Sequence, residues 1–581
     1  MKLIYSNERA AQMLVSLLKQ HNIKKIVASP GATNITFVAT AMHDPWFEIY
    51  SSVDERSAAY IACGLAEEAQ EPVVITCTGA TASRNYMSGL TEAYYRKLPI
   101  LAVTASQNYD NIGHLSPQLL DRRSVPNDVA RKSFSVKAVR SADDEWADEI
   151  AINSAILELK RHGGGPVHLN FQTTYSRDYS VTEIKPARKI ERITADGTNW
   201  PEIGRRKVGI LIASHRPFSD EETALIDRFC GEHDAVVFTD HTSAYNGAYK
   251  VCMGLPYMQK KNTHPSARMD ILLHMGGISG DPSVYLLNPA EVWRLDEDGE
   301  IRDTFKKLTR VFEMSVTAFF SRYATKGGTR RDYLAQCRQE YDAVSAVIPE
   351  LPFSAVWIAQ HTAHRIPEHA VIHLGILNSL RTWNYFHLPK SVRSNSNVGG
   401  FGIDGILSTL LGASLANREK LCFAVLGDLA FFYDMNALGN RHVGNNLRIM
   451  VVNNGRGTEF RNYDHPGAAF GEEADRFIAA AGHYGNKSKT LIKHYAEDLG
   501  FEYLTASDKD EYLQQVERFL TDRITEKPML FEVFTDSQDE SDALETIQHL
   551  LADTSVTAKE MARNILGEKG VSALKTILGK K

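Results

Sequence analysis

The sequence predicts an α/β protein built from doubly wound parallel sheets, and three observations carry that class. Two stretches repeat one another: Gly64–Leu90 and Gly412–Leu438 superpose without a gap, bringing Gly64, Gly79, Met87 and Leu90 onto Gly412, Gly427, Met435 and Leu438. Each copy reads as helix, apolar strand, helix, apolar strand, and after one inserted residue the run Leu98–Val103 falls on Leu447–Val452. Alternating helices and buried strands are the pattern of a parallel sheet covered on both faces. The chain is also long, at 581 residues, which suits roughly three or four domains.

The elements follow in order. An amphipathic helix over 6–20 precedes the strand Lys25–Ala28 and the turn Ser29–Asn34. The strand 47–51 leads through Asp54-Glu55-Arg56-Ser57 into a helix reaching about Glu68. The first repeat comes next, and the strand 166–171 closes a first domain, 1–181. Thr182–Lys189 is charged, contains Pro186 and reads as a linker. A central domain, 190–345, has strands at 208–212, 235–238, 271–274 and 291–294, and its Gly276-Gly-Ile-Ser-Gly280 reads as a plain turn rather than a nucleotide loop. A polar helix over 329–346 leads to a third domain, 350–545. The tail 555–581 has apolar residues at helical spacing among lysines and reads as an amphipathic helix packed on protein.

Composition excludes several classes. Hydrophobic residues make up 43%, charged residues 23%, and the net charge is −6, so no basic surface argues for nucleic acid. No apolar run approaches the roughly eighteen residues of a membrane span. The first nine residues become charged too early for a secretory signal. Six scattered cysteines without metal-ligand spacing read as reduced core residues of a cytoplasmic protein.

The differences between the two copies locate the chemistry. Ligands of open parallel sheets gather beyond the carboxyl ends of the strands. Only the second copy places Gly427-Asp428-Leu429 there, with Asn453-Asn454-Gly-Arg456 some 25 residues further on. Asp428 offers a hard oxygen beside a helix start that favours phosphate, Asn454 an amide oxygen and Arg456 a backbone carbonyl. Two diphosphate oxygens and a water would complete an octahedral Mg²⁺ site, with Mn²⁺ or Ca²⁺ as substitutes. Taken singly, the same residues are an ordinary helix cap and an Asn-Gly turn.

Gly-Asp followed by Asn-Asn at this spacing resembles the thiamine-diphosphate (ThDP) enzymes, whose pyrimidine-binding and diphosphate-binding domains are homologous. Among them the chain most resembles the menaquinone-pathway synthases of 2-succinyl-5-enolpyruvyl-6-hydroxy-3-cyclohexene-1-carboxylate (SEPHCHC). The stretches that carry the likeness include Val53–Ala59, Cys77–Ala82, Gly402–Thr409, Gly427–Leu438 and Val451–Gly455. The resemblance implies a pyrimidine-type first domain, a diphosphate-type third domain and a catalytic role for Glu55. There Glu55 would bond N1′ of the aminopyrimidine and promote a C2 carbanion that attacks a 2-oxo acid, loses CO₂ and leaves an enamine. It also implies cofactor contacts from Thr78, Gly79, Asn85 and Gly402, with Ile403 wedging the cofactor into its bent shape. The class shares its active sites between subunits, so a homodimer or homotetramer is expected.

The substrate positions depart from that pattern. Thr33, Gln107, Val398 and Trp383 stand where the SEPHCHC synthases have arginines, although Arg381 lies nearby and Gln118 is retained. Losing several bidentate carboxylate partners should abolish recognition of 2-oxoglutarate and isochorismate. Asn34, His114, Arg461 and His465 complete a polar set suited to another substrate. The expectation is therefore a ThDP- and Mg²⁺-dependent 2-oxo acid decarboxylase or carboligase, with a small 2-oxo acid and a carbonyl acceptor. SEPHCHC synthesis and a non-catalytic ThDP-binding role are the alternatives.

Overall fold

The computed structural model describes residues 4–260 and 264–551, so the tail expected at 555–581 lies outside the described residues. The chain divides into two compact units, residues 1–199 with 298–313, and residues 200–297 with 314–581. Every strand pairing within each unit is parallel.

The first unit holds a six-stranded sheet of β1 (Lys25–Ala28), β2 (Glu48–Ser51), β3 (Val73–Thr78), β4 (Ile100–Ser106), β5 (Ser133–Val136) and β6 (Val167–Gln172), in the order β2-β1-β3-β4-β6-β5. Its central strands are buried on both faces and feed two cores by alternation. Val74, Leu101 and Val103 enter one apolar cluster, while Val73, Ile75, Ile100 and Ala102 enter the other. Period-two alternation into two apolar layers is what a doubly wound sheet requires. β7 (Glu191–Thr194) belongs to the same unit.

The expected linker is packed rather than free. Ala187 is 4% exposed, its N–H donates to Ser16 Oγ (3.0 Å), and Arg188 pairs with Glu149 and Asp303 at 2.9 and 2.8 Å. Its charges read as solvated in sequence because their partners lie far away along the chain.

In the second unit, β8 (Val208–Ile212), β9 (Val236–Thr239), β10 (Lys250–Cys252), β11 (Arg268–Met275) and β12 (Asn288–Asp296) run in the order β10-β9-β8-β11-β12. β13 (Leu308–Glu313) pairs with β7 in the first unit. The glycine cluster 276–280 is a packing turn: Gly276 has φ +78°, and a Cβ on Gly280 would stand 2.2 Å from Leu380 Cδ2.

The same unit carries a second six-stranded sheet: β14 (Val371–Leu374), β15 (Arg393–Asn395), β16 (Cys422–Gly427), β17 (Leu447–Asn453), β18 (Glu502–Ala506) and β19 (Met529–Phe534). Its order, β15-β14-β16-β17-β19-β18, repeats that of the first sheet strand for strand. Here too the cores alternate, with Phe423, Val425 and Met450 on one side and Ala424, Leu426 and Ile449 on the other. The internal repeat read from the sequence is therefore a repeat of topology. All six cysteines are buried and free.

Candidate functional site

Two groups of predicted residues gather at the carboxyl edges of the repeated sheets, one in each unit. In the first unit, Asp54 caps the helix Glu55–Ala69 by accepting from Ser57 N (3.1 Å). That cap sets Glu55 in the first turn, where the helix dipole favours a carboxylate. Asn85, at the end of the short helix Thr81–Asn85, donates from Nδ2 to Glu55 Oε2 (3.1 Å). Two of the predicted residues are thus in direct contact, and Glu55 Oε1 is left available.

The turn after β1 presses against the end of β3. A Cβ on Gly31 would stand 2.2 Å from Thr78 Oγ1, so only glycine permits the approach. Thr33 is buried and donates its hydroxyl to Ala105 O (2.5 Å), which ties it to the scaffold. Asn34 donates to Ser29 O (3.0 Å), and its buried Oδ1 has no partner among the described residues. Gln107, His114 and Gln118 are exposed beyond β4. Gly79 lies against the guanidinium of Arg122, a residue the sequence reading missed although it stands in the charged run Asp121-Arg122-Arg123.

In the second unit, β16 ends at Gly427 and the helix Asp428–Asp434 begins at once. Asp428 is 3% exposed. Burial pushes its carboxyl up to about 7, against the backbone N–H groups of Asp428, Leu429 and Asn454 that favour its ionised form. β17 ends alongside, where Asn453 donates to Glu532 Oε1 (2.6 Å) and accepts from Gly455 N (3.2 Å). Asn454 Oδ1 is buried with no partner among the described residues.

A buried carboxyl with no Lys or Arg partner among the described residues, beside an amide oxygen likewise unpartnered, offers the hard oxygen donors that a divalent ion takes. These residues fit a metal–diphosphate group. Ile403 is half-buried and packs against both cores of this sheet, next to Gly402 and to Phe401, whose φ is +54°.

The predicted arginines of this unit already have carboxylate partners. Arg381 makes a two-pronged pair with Glu459 (2.8 and 3.0 Å) and donates to Asn378 Oδ1 (3.2 Å). Arg456 and Arg461 both bind Asp475, at 2.7 and 2.9 Å. The Arg381–Glu459 pair lines a 220 Å³ cavity with Asn462 and His465. Trp383 and Val398, noted above as standing in place of arginines of the resembling family, are 1% and 2% exposed within the apolar core. Sequence reading also missed Glu459 and Asp475, whose pairing with the arginines depends on the fold.

Residues 8–125 match the family described as "Thiamine pyrophosphate enzyme, N-terminal TPP binding domain". The chain is 30% identical over 575 residues to the 2-succinyl-5-enolpyruvyl-6-hydroxy-3-cyclohexene-1-carboxylate synthase of Bacteroides fragilis, covering 94% of this chain and 100% of that protein. It is 29% identical over 573 residues to the protein of that name from Bacteroides thetaiotaomicron, with 94% and 100% covered. A third, from Christiangramia forsetii, is 27% identical over 585 residues, with 91% and 96% covered.

Proposed function

Because the chain belongs to the thiamine-diphosphate-dependent enzymes and matches SEPHCHC synthases along their full length, we propose that it is a decarboxylating carboligase that transfers the acyl unit of a 2-oxo acid to a second substrate. The observation that supports this most is the Glu55–Asn85 contact at the edge of the first sheet. A protein that only binds the cofactor has no chemical need for that acid.

ThDP, when bound, supplies the electron sink that makes loss of CO₂ from a 2-oxo acid feasible. Asp428, Asn454 Oδ1 and the Arg456 carbonyl would hold Mg²⁺ and the diphosphate, with Gly427 and Leu429 beside them. Glu55 would accept or donate the proton that the pyrimidine requires, Asn85 orients its carboxyl through the 3.1 Å hydrogen bond, and Thr78 and Gly79 would line that half of the site. Ile403 and Gly402 would support the cofactor from the second sheet. The proposed domains are 1–181, 190–345 and 350–545.

The relatives' names favour SEPHCHC synthase activity, from 2-oxoglutarate and isochorismate, over a different substrate. The carboxylate pairing of Arg381, Arg456 and Arg461 is the observation that supports the second reading. Purified enzyme with ThDP and Mg²⁺ decides between them. Turnover of that substrate pair at about 1 s⁻¹ or more, the rate of a dedicated enzyme, establishes the synthase. Turnover well below that points to another donor or acceptor.

A homodimer or homotetramer with shared active sites is proposed as well. Val53, Tyr60 and Ile61 beside Glu55, and Leu415 and Tyr433 on the second sheet's helices, expose 80%, 47%, 43%, 41% and 63% of their surface, as buried interface residues would in a lone subunit. No helix among the described residues is long and apolar enough to cross a membrane, and the proposed site of action is the cytoplasm.

A further inference from the structure

One of the six cysteines differs from the rest in its surroundings. Cys252, the last residue of β10, is 7% exposed, while the other five are at most 3% exposed. Its Sγ lies 3.3 Å from Nδ1 of His387, a residue 135 positions further along the chain. The His387 ring packs on Tyr341, with ring centroids 4.6 Å apart, and is itself exposed. The pair lines a 330 Å³ cavity to which β10, the helix Asp332–Ser345 and the segment 387–390 contribute. None of the lining residues belongs to the cofactor set above.

The charges about the cavity decide which form the pair takes. Among the described residues that line it, Lys250, Arg338 and Lys390 outnumber one carboxylate, Asp342. Asp281, 3% exposed, adds a weaker opposing charge. His241, the other lining imidazole, has Nε2 at 2.8 and 3.1 Å from the Trp383 and Phe386 carbonyls, and burial pushes it down to about 4, so it stays neutral. Burial acts to raise the Cys252 thiol, but the hydrogen bond and charge of His387, with Lys250, outweigh it and hold the thiol below its ordinary value. The same contact raises His387. Burial pushes Cys63, Cys77, Cys337 and Cys422 the other way, up to about 11 or 12, and Cys230 well above its usual value. A thiolate beside an imidazolium, partly exposed among cations, is the nucleophilic form of cysteine. The same cations oppose a metal ion, and no group of three His, Cys, Asp or Glu among the described residues could hold one.

We propose that Cys252 and His387 form a modification site that takes up a hydroperoxide. The Cys252 sulfur attacks one oxygen of hydrogen peroxide and the O–O bond breaks. The His387 imidazolium gives its proton to the departing hydroxide, which leaves as water. The sulfur is oxidised by two electrons to a sulfenic acid, and the peroxide is reduced by the same two. The site does not rest on the carboligase reading, because it uses no cofactor and no residue of that chemistry.

Oxidation of the folded, ThDP- and Mg²⁺-loaded protein by hydrogen peroxide tests the site, with dimedone trapping the sulfenic acid and mass spectrometry resolving the labelled peptides. Cys252 should be labelled at least about 10-fold faster than any other cysteine, since thiolate falls tenfold for each pH unit below the pKa. Its labelling rate should reach half its plateau below about pH 8.5, the ordinary thiol value. His387→Gln removes the charge and the proton at an exposed position, where the core is left intact. It should slow Cys252 labelling by about 10-fold or more and move the midpoint to about 8.5 or above. Cys252→Ser should remove the label from that peptide alone. Another cysteine labelled first, no label in the folded protein, or equal rates and midpoints in the parent and His387→Gln overturns the proposal.

Discussion

The two six-stranded sheets share one strand order, yet each buries an uncompensated charge of opposite sign at its carboxyl edge. The first holds Arg122, 2% exposed, against Gly79; the second holds Asp428, 3% exposed, one residue after Gly427, the counterpart of Gly79 in the repeat. Continuing the alignment from Leu98 on Leu447, Thr104 and Ala105 fall on Asn453 and Asn454. The topology fixes where ligands gather, because strand ends and helix starts converge there. The few side chains at that edge then set its charge: a buried guanidinium in one copy, a buried carboxyl in the other.

The sharpest way to break this comparison is to remove the acid that belongs to the first copy alone. Glu55→Gln should slow hydrogen–deuterium exchange at C2 of bound ThDP by about 10²-fold or more, the range of general acid–base contributions. Its ThDP affinity should stay near that of the parent, because metal and diphosphate are assigned to the other copy. Equal exchange in the two proteins, followed by NMR, would leave Glu55 without a role and favour a non-catalytic protein. The complementary change, Asp428→Asn, keeps an oxygen and loses the charge. Metal-dependent ThDP affinity should drop by at least about 10- to 100-fold, the loss that follows removal of a group merely supporting a metal ligand, and calorimetry showing no drop would remove the metal assignment.

The copies also treat their arginines differently. Arg381 is tied to Glu459 with side-chain exposures of 15% and 18%, whereas Arg122 has no carboxylate. Glu459→Gln would make Arg381 resemble Arg122, and removing one partner of a largely buried pair should destabilise by about 3 kcal/mol. The double change Arg381→Met with Glu459→Leu should recover most of that loss. Denaturant unfolding checks both, and a neutral single variant would show that the pair contributes nothing.

Much of this was legible in the sequence because the signals were local. Apolar strands, the repeat, Asp54 before Glu55, and Asp428 after Gly427 are all read within a few residues, and the parallel sheets follow from them. The acid–amide pair Asp428 and Asn454 was found because the two strand ends must lie side by side. What escaped depended on long-range pairing. The partners of Arg381 and Arg461 lie 78 and 14 residues away, and Arg122 meets Asn170 across 48. No spacing rule foretells which arginine finds an acid and which does not. Thr33, expected at the substrate site, also bonds Ala105 O through its hydroxyl across 72 residues, a contact that no local pattern shows.

A last test asks whether buried acids outside the cofactor site titrate as their surroundings demand. Asp148, in the helix Ala142–Glu158 of the first unit, is 2% exposed and accepts from Lys137 N (2.8 Å), while its Oδ2 has no partner. Burial pushes its carboxyl from 3.8 up to about 7, opposed by the Lys137 N–H. Glu540 in the second unit is likewise pushed by burial to about 7. A folded-state value above the unfolded one means that the folded chain binds the proton more tightly. The stability it contributes is then complete below about pH 4 and is lost as the pH rises through 7. Asp148→Asn mimics the protonated acid and still accepts from Lys137. The variant and parent should therefore be nearly equal in stability at pH 4, while at pH 8 the variant should be more stable by up to about 4 kcal/mol. Glu540→Gln should change the second unit in the same direction and over the same interval. Parallel pH–stability curves for the parent and Asp148→Asn would show that this carboxyl stays ionised in the folded chain.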